Sequence, residues 1–192
     1  MQAETPWTAA LFEAAVSYRR MIDGTLAQLS DEEFFQRPAA EINSVAVIIR
    51  HLGGNLTSRW TDFLTTDGEK PTRNRDEEFA DWPGDRASLM RYFDAGWQQL
   101  LAAIEEAAKL DPTTPIFIRG ESQTLASALA RSLTHLSYHV GQISLIARTV
   151  HEGRWHWLTI GPGESQRHNE QTWGTSQSRS VFGSADPPDS GK

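Results

Sequence analysis

The chain contains no cysteine, which excludes disulfides, thiol nucleophiles and every metal site that depends on a thiolate. Metal chemistry in such a chain must rest on imidazoles and carboxylates. No stretch approaches the roughly 20 apolar residues that a membrane-crossing helix needs. The opening residues, MQAETPWTAALFEA, lack both the basic start and the apolar run of a secretory signal. A cytoplasmic protein is the expectation. Positive charge is also in deficit, with 18 Lys and Arg against 25 Asp and Glu and a net charge of −7. That is the wrong sign for collecting phosphates, so neither nucleic acid nor an anionic membrane is an expected partner. The arginines stand among acids, as in Asn74-Arg75-Asp76-Glu77, and form no block along the chain.

The chain does have the means to build a core: 39% of its 192 residues are hydrophobic, enough for one domain with an appended segment. Residues 7–29 carry Leu11, Phe12, Ala15, Val16, Tyr18, Met21, Ile22, Leu26 and Leu29 at spacings of three and four, which predicts an amphipathic helix. Ser30 followed three residues on by Glu33 reads as a capping box that starts a short helix ending before Pro38. A second long helix is expected from an N-cap at Asn43 to about Thr66, with Gly53-Gly54 in its middle marking a close approach or a kink. Residues 67–84 form a long polar crossing. A third helix covers 85–109, stopped by Asp111-Pro112. In residues 116–124, Ile116-Phe117-Ile118 and Ser122-Gln123-Thr124 flank Arg119-Gly120-Glu121, which suggests a small hairpin or an extended turn. A fourth long helix covers 125–152, with Gly153 as its C-cap.

Four long helices with one long crossing predict an all-α fold, a four-helix bundle with a crossover connection. Residues 1–173 would form the bundle with a packed C-terminal extension containing Trp155, Trp157, Leu158 and Ile160, and residues 174–192 a mobile tail.

Histidines carry the distinctive chemistry. His135 and His139 are four apart on the fourth helix, which places them about 6 Å apart along the axis and about 40° around it, close enough to converge on one ion. Counted at about 100° per residue, their stripe also holds Ala128, Arg131, Ser132, Gln142 and Ile146 and borders the apolar face. On the second helix, His51 shares its stripe with Ser44, Val47, Asn55 and Ser58, beside Ile48 and Leu52. All three histidines therefore lie at core edges, where each buried ring needs partners for two nitrogens. A common metal ion would satisfy them; the alternative is a separate hydrogen bond for each. The zinc-protease pattern is absent, because Leu136 stands where a glutamate base would follow His135. His151, His156 and His168 are expected to be surface or packing residues.

The stretches Asn43-Ser44-Val45-Ala46, Arg50-His51-Leu52-Gly53-Gly54-Asn55 and Thr134-His135-Leu136-Ser137-Tyr138-His139-Val140-Gly141-Gln142-Ile143 resemble the DinB-like (YfiT-type) superfamily. Within it the chain looks like a branch known only as a domain of unknown function. The resemblance spans about residues 8–170. It implies a crossed four-helix bundle, commonly a homodimer, with a divalent metal such as zinc or nickel held by His51, His135 and His139. Some relatives are thiol-dependent transferases or isomerases using a low-molecular-weight thiol, others are called metal-dependent hydrolases, and many have no known activity.

Two functional expectations follow. The first is a metal-dependent transferase or hydrolase of a small molecule, whose three imidazoles leave a coordination position open; Asn55, Arg131 and Gln142 are candidates for orienting ligands or substrate. The second is a non-catalytic dimeric bundle with a structural metal or none, acting as an interaction protein. Because a free imidazole has a pKa of about 6.5, a three-histidine site is expected to release metal as pH falls below roughly 6.

Overall fold

Pro6 occupies the first turn of helix α1, Pro6–Leu26, where its missing N–H costs nothing, and Thr5 precedes it as N-cap. The computed structural model describes residues 5–174; nearly all of the expected tail lies outside this range. Helix α2, Asp31–Phe35, starts on the anticipated capping box: Ser30 Oγ accepts from the Glu33 N–H at 3.2 Å, and Glu33 Oε2 accepts from the Ser30 N–H at 2.8 Å. Three further long elements follow: α3, Val45–Trp60, α4, Arg86–Ala107, and α5, Leu125–Val150. The fold is mostly helical.

Several boundaries differ from those read in the sequence. The N-cap of α3 is Ser44, whose hydroxyl accepts from the Val47 N–H at 3.2 Å, and not Asn43. This helix ends at Trp60 and not near Thr66, because Thr61 turns extended and Asp62 takes a left-handed φ of 48°. Helix α5 closes on an extended His151, so Gly153 does not cap it. The hairpin is present, with β1, Pro115–Ile118, antiparallel to β2, Glu121–Thr124. Its two-residue tip, Arg119-Gly120, has both φ angles positive, at 56° and 75°, as tight hairpin tips require. One further helix, α6, Ser165–Thr172, lies in the C-terminal extension and had no apolar periodicity to announce it.

Each long helix packs against two others: α3 against α4 and α5, and α1 against α4 and α5. The apolar stripes meet in one core containing Ile22, Ile49, Leu52, Leu56, Trp60, Leu89, Phe93, Leu100, Leu129, Leu136 and Ile143, all buried. Gly53 and Gly96 let α3 and α4 approach closely. A Cβ on Gly96 would collide with the Gly53 carbonyl oxygen, and one on Gly53 would lie 2.8 Å from the Tyr92 ring. Residues between α3 and α4 contain a single 3₁₀ turn, Glu77–Phe79, that packs on α3. In the extension, Leu158 fills the space beside Gly24 and Trp155 packs on the core, whereas Trp157 and Ile160 are largely exposed. Among the described residues, no helix is long and apolar enough to cross a membrane.

Candidate metal centre

Helices α3 and α5 bring His51, His135 and His139 to one point. Their ligand atoms all lie within 4.8 Å of one another. Nε2 of His135 stands 3.2 Å from Nε2 of His51 and 3.0 Å from Nε2 of His139. His51 and His139 are buried, and His135 is partly so. Phe79 stacks on the His51 ring with centroids 4.9 Å apart, closing one side of the cluster.

The outer nitrogens decide which way the lone pairs point. Nδ1 of His51 lies 2.9 Å from Oε2 of Glu78. An ionised carboxylate only accepts, so His51 donates through Nδ1–H and keeps a lone pair on Nε2. Nδ1 of His139 lies 2.7 Å from Oε1 of Gln142, whose amide nitrogen donates to the Tyr138 hydroxyl at 3.0 Å. His139 therefore also turns a lone pair inward. The single exchangeable proton of a neutral His135 satisfies at most one of these two neighbours. A divalent cation accepts from all three: imidazole nitrogens bound at about 2.0–2.1 Å to one ion stand roughly 3–3.5 Å from each other, near the observed separations. The donor set fits such an ion.

Glu78 is held from its other side by Arg73, whose Nε and Nη2 donate to the two carboxylate oxygens at 2.7 Å each. Both side chains are only 5% exposed. Arg73 in turn lies 3.3 Å from Glu69. Burial would raise the Glu78 pKa, but the hydrogen bonds from His51 and Arg73 outweigh it and hold the carboxyl below its usual value. Burial pushes His135 down to about 4, with the charges of His139, His51, Arg73 and Arg59 adding to the effect. Burial and His51 likewise push His139 to about 4, against the Gln142 hydrogen bond that favours its charged form. His135 and His139 are thus kept neutral, the form that ligates. At these two rings, proton competition falls well below the pH of about 6 expected from free imidazole.

Glu78 was not among the residues singled out in the sequence as site candidates, and it sits 27 residues from its histidine partner. The clue in the sequence was Gly54, three residues after His51 and so on the same face of α3. A Cβ there would occupy the Glu78 carboxylate's position. Of the other residues singled out in the sequence, Asn55 and Arg131 line a cavity of about 220 Å³ together with His51 and His135, and Gln142 holds His139. His151 bonds Glu33 Oε1 at 3.0 Å, at the start of α2 and away from the cluster. His156 and His168 lie in the C-terminal extension. A larger cavity of about 590 Å³ lies on the far side of Glu78, among Arg50, Thr57, Lys70, Trp82 and Tyr92, and none of the three histidines lines it. The smaller one is the cavity that adjoins the cluster.

A family model described as "Protein of unknown function (DUF1572)" matches residues 2–164, and the chain belongs to that family. No curated protein and no solved structure matches it.

Proposed function

We propose that this member of a family without an assigned activity is a divalent-metal-binding four-helix bundle of the DinB-like kind, working as a metal-dependent transferase or hydrolase of a small molecule. The supporting observation is the convergence of three imidazole Nε2 atoms while Glu78 and Gln142 occupy the outer nitrogens of His51 and His139. His51, His135 and His139 would hold zinc or nickel, borderline ions suited to imidazole. When bound, the ion would supply Lewis acidity to a small thiol or a substrate oxygen through positions the three ligands leave open. The chain's own contribution is orientation and exclusion of water. Glu78 and Gln142 fix the tautomers, burial keeps His135 and His139 neutral, and Phe79 covers His51. A homodimer in the cytoplasm belongs to the same proposal.

A second proposal, a non-catalytic bundle with a structural metal, draws on one observation. The carboxylate nearest the histidines, Glu78, is committed to Arg73 and His51 and is not free to act as a base. Elemental analysis of untagged protein beside His51→Ala, His135→Ala and His139→Ala, with melting curves for each, separates the two. About one equivalent of metal, lost in every variant while the fold survives, is the result expected for an open active-site metal. Collapse of the fold in the variants would favour the structural role. A wild-type protein that takes up no metal after reconstitution would remove the metal from both.

A further inference from the structure

The chain is acidic, yet arginines surround the cavity beside the histidines. Arg59, Arg73, Arg75, Arg119 and Arg131 line that space of about 220 Å³, and no carboxylate of the described residues does. Two nearby acids answer them in part. Glu78 is spent on Arg73, and Glu69 lies 3.1 Å from Arg119, 3.3 Å from Arg73 and 4.0 Å from Arg59. Arg75 and Arg131 make no ion pair with any described carboxylate, and Nη1 of Arg59 is buried with no hydrogen-bond partner among the described residues. Gathering like charges around a partly enclosed space is unfavourable unless something negative enters it.

The arginines come from separate elements, and local structure fixes their positions. Arg131 stands one turn before His135 on α5. Arg119 is at the hairpin tip with a φ of 56°, a conformation that side-chain-bearing residues seldom hold unless surrounding contacts impose it. Here Asp67 imposes it: its two carboxylate oxygens accept from the backbone N–H groups of Arg119 and Gly120 at 2.8 and 2.7 Å. Asn55, one turn after His51 on α3, adds a neutral donor to the same wall. Guanidiniums and an amide lining one space beside metal-type imidazoles describe a clamp for an oxyanion. The cavity is smaller than the roughly 300–1,000 Å³ of drug-sized ligand sites, so it suits a short acid or the acidic end of a longer molecule.

We propose that this cavity seats a carboxylate or phosphate group of the substrate, clamped by Arg131, Arg119 and Arg75 with Asn55, which directs the rest of the molecule towards His51 and His135. The proposal rests on reading the histidine cluster as a small-molecule site and names the substrate class of that site.

The test is calorimetric titration of metal-loaded and metal-free protein with inorganic phosphate, with succinate and with uncharged succinamide. Metal content is measured in the same samples. At least one of the two anions is expected to bind and succinamide is not; binding of phosphate alone or of succinate alone assigns the group. Arg131→Gln and Arg75→Gln, both at exposed positions, should each weaken anion binding about tenfold or more with the metal content of wild type. Arg154→Gln, on the exposed extension, should change nothing. The proposal is overturned if neither anion binds either form, or if binding requires metal and ignores both arginine substitutions, which would put the anion on the ion itself. A protein that holds no metal but loses anion binding in the arginine variants would defeat the metal proposal and leave the clamp standing.

Discussion

The carboxylate of Glu78 reaches Nδ1 of His51 through the space that Gly54 leaves empty. A Cβ at position 54 would collide with Oε1 of Glu78 and lie 2.9 Å from the Tyr92 hydroxyl, and Glu78 is only 4% exposed and tied to His51 and Arg73. Gly54→Ala is therefore expected to displace the carboxylate and release the His51 tautomer. Metal affinity should fall by about 10–100-fold, the usual cost of losing a partner behind a ligand, with helix content retained. Competition against a chelator measures the first and circular dichroism the second. Unaltered affinity would show that the position of Glu78 does not matter to the histidines.

Arg73 depends on Glu78 as much as His51 does. Removing the carboxylate in Glu78→Ala leaves a guanidinium that is 5% exposed with Glu69, at 3.3 Å, as its remaining partner. Breaking a buried pair from one side costs about 3–5 kcal/mol, and Glu69 should hold the loss near the lower end. Glu78→Gln keeps an acceptor and should cost less. Urea denaturation of the metal-free protein reports both, and a loss near zero for the alanine variant would mean that Arg73 finds solvent.

Trp60 ties α3 to α5 one turn from the cluster: its indole N–H donates to Ser132 Oγ at 3.1 Å in a buried contact. Ser132→Ala would leave that N–H without a partner, at a cost of about 1–3 kcal/mol. Since Ser132 touches none of the three rings through a hydrogen bond, metal stoichiometry should stay at the wild-type value. A variant that kept its stability and lost its metal would reverse these assignments.

Acid should act on the metal-free protein through His135 and His139. Their folded-state pKa values are about 4, against an ordinary value of 6.5. Below pH 6.5 the unfolded chain binds protons that the folded chain refuses, so stability falls as pH drops and the loss from these groups is complete near pH 4. Glu78, held below its usual value, adds a further loss at more acid pH. Melting temperatures of metal-free protein should thus decline between about pH 6.5 and 4 and decline less in His135→Gln. A flat profile over that window would mean the two imidazoles titrate alike in both states. Bound metal should persist to lower pH than free imidazole would allow, with occupancy falling as pH approaches about 4.

Much of the helical framework was legible because its causes are local. The stripes through Ile22, Ile49, Phe93 and Leu136 repeat every three or four residues, and the Ser30 capping box and the turn at Gly120 act within four residues of chain. Boundaries were less legible where two local choices competed. Ser44 took the cap from Asn43, and a left-handed Asp62 stopped α3 early.

The spacing of His135 and His139 by itself determined that these rings share one face of α5, since a helix turns about 400° in four residues. The absence of cysteine determined what kind of donors a metal site could use. Tertiary structure alone decided the rest of the centre. His51 meets His135 across 84 residues, Glu78 meets His51 across 27, and arginines scattered among acids along the chain collect around one cavity. Those contacts depend on how α3 packs on α4 and α5 and on where the polar crossing settles. Packing of that kind is fixed by the whole core at once, so no short stretch of residues encodes it.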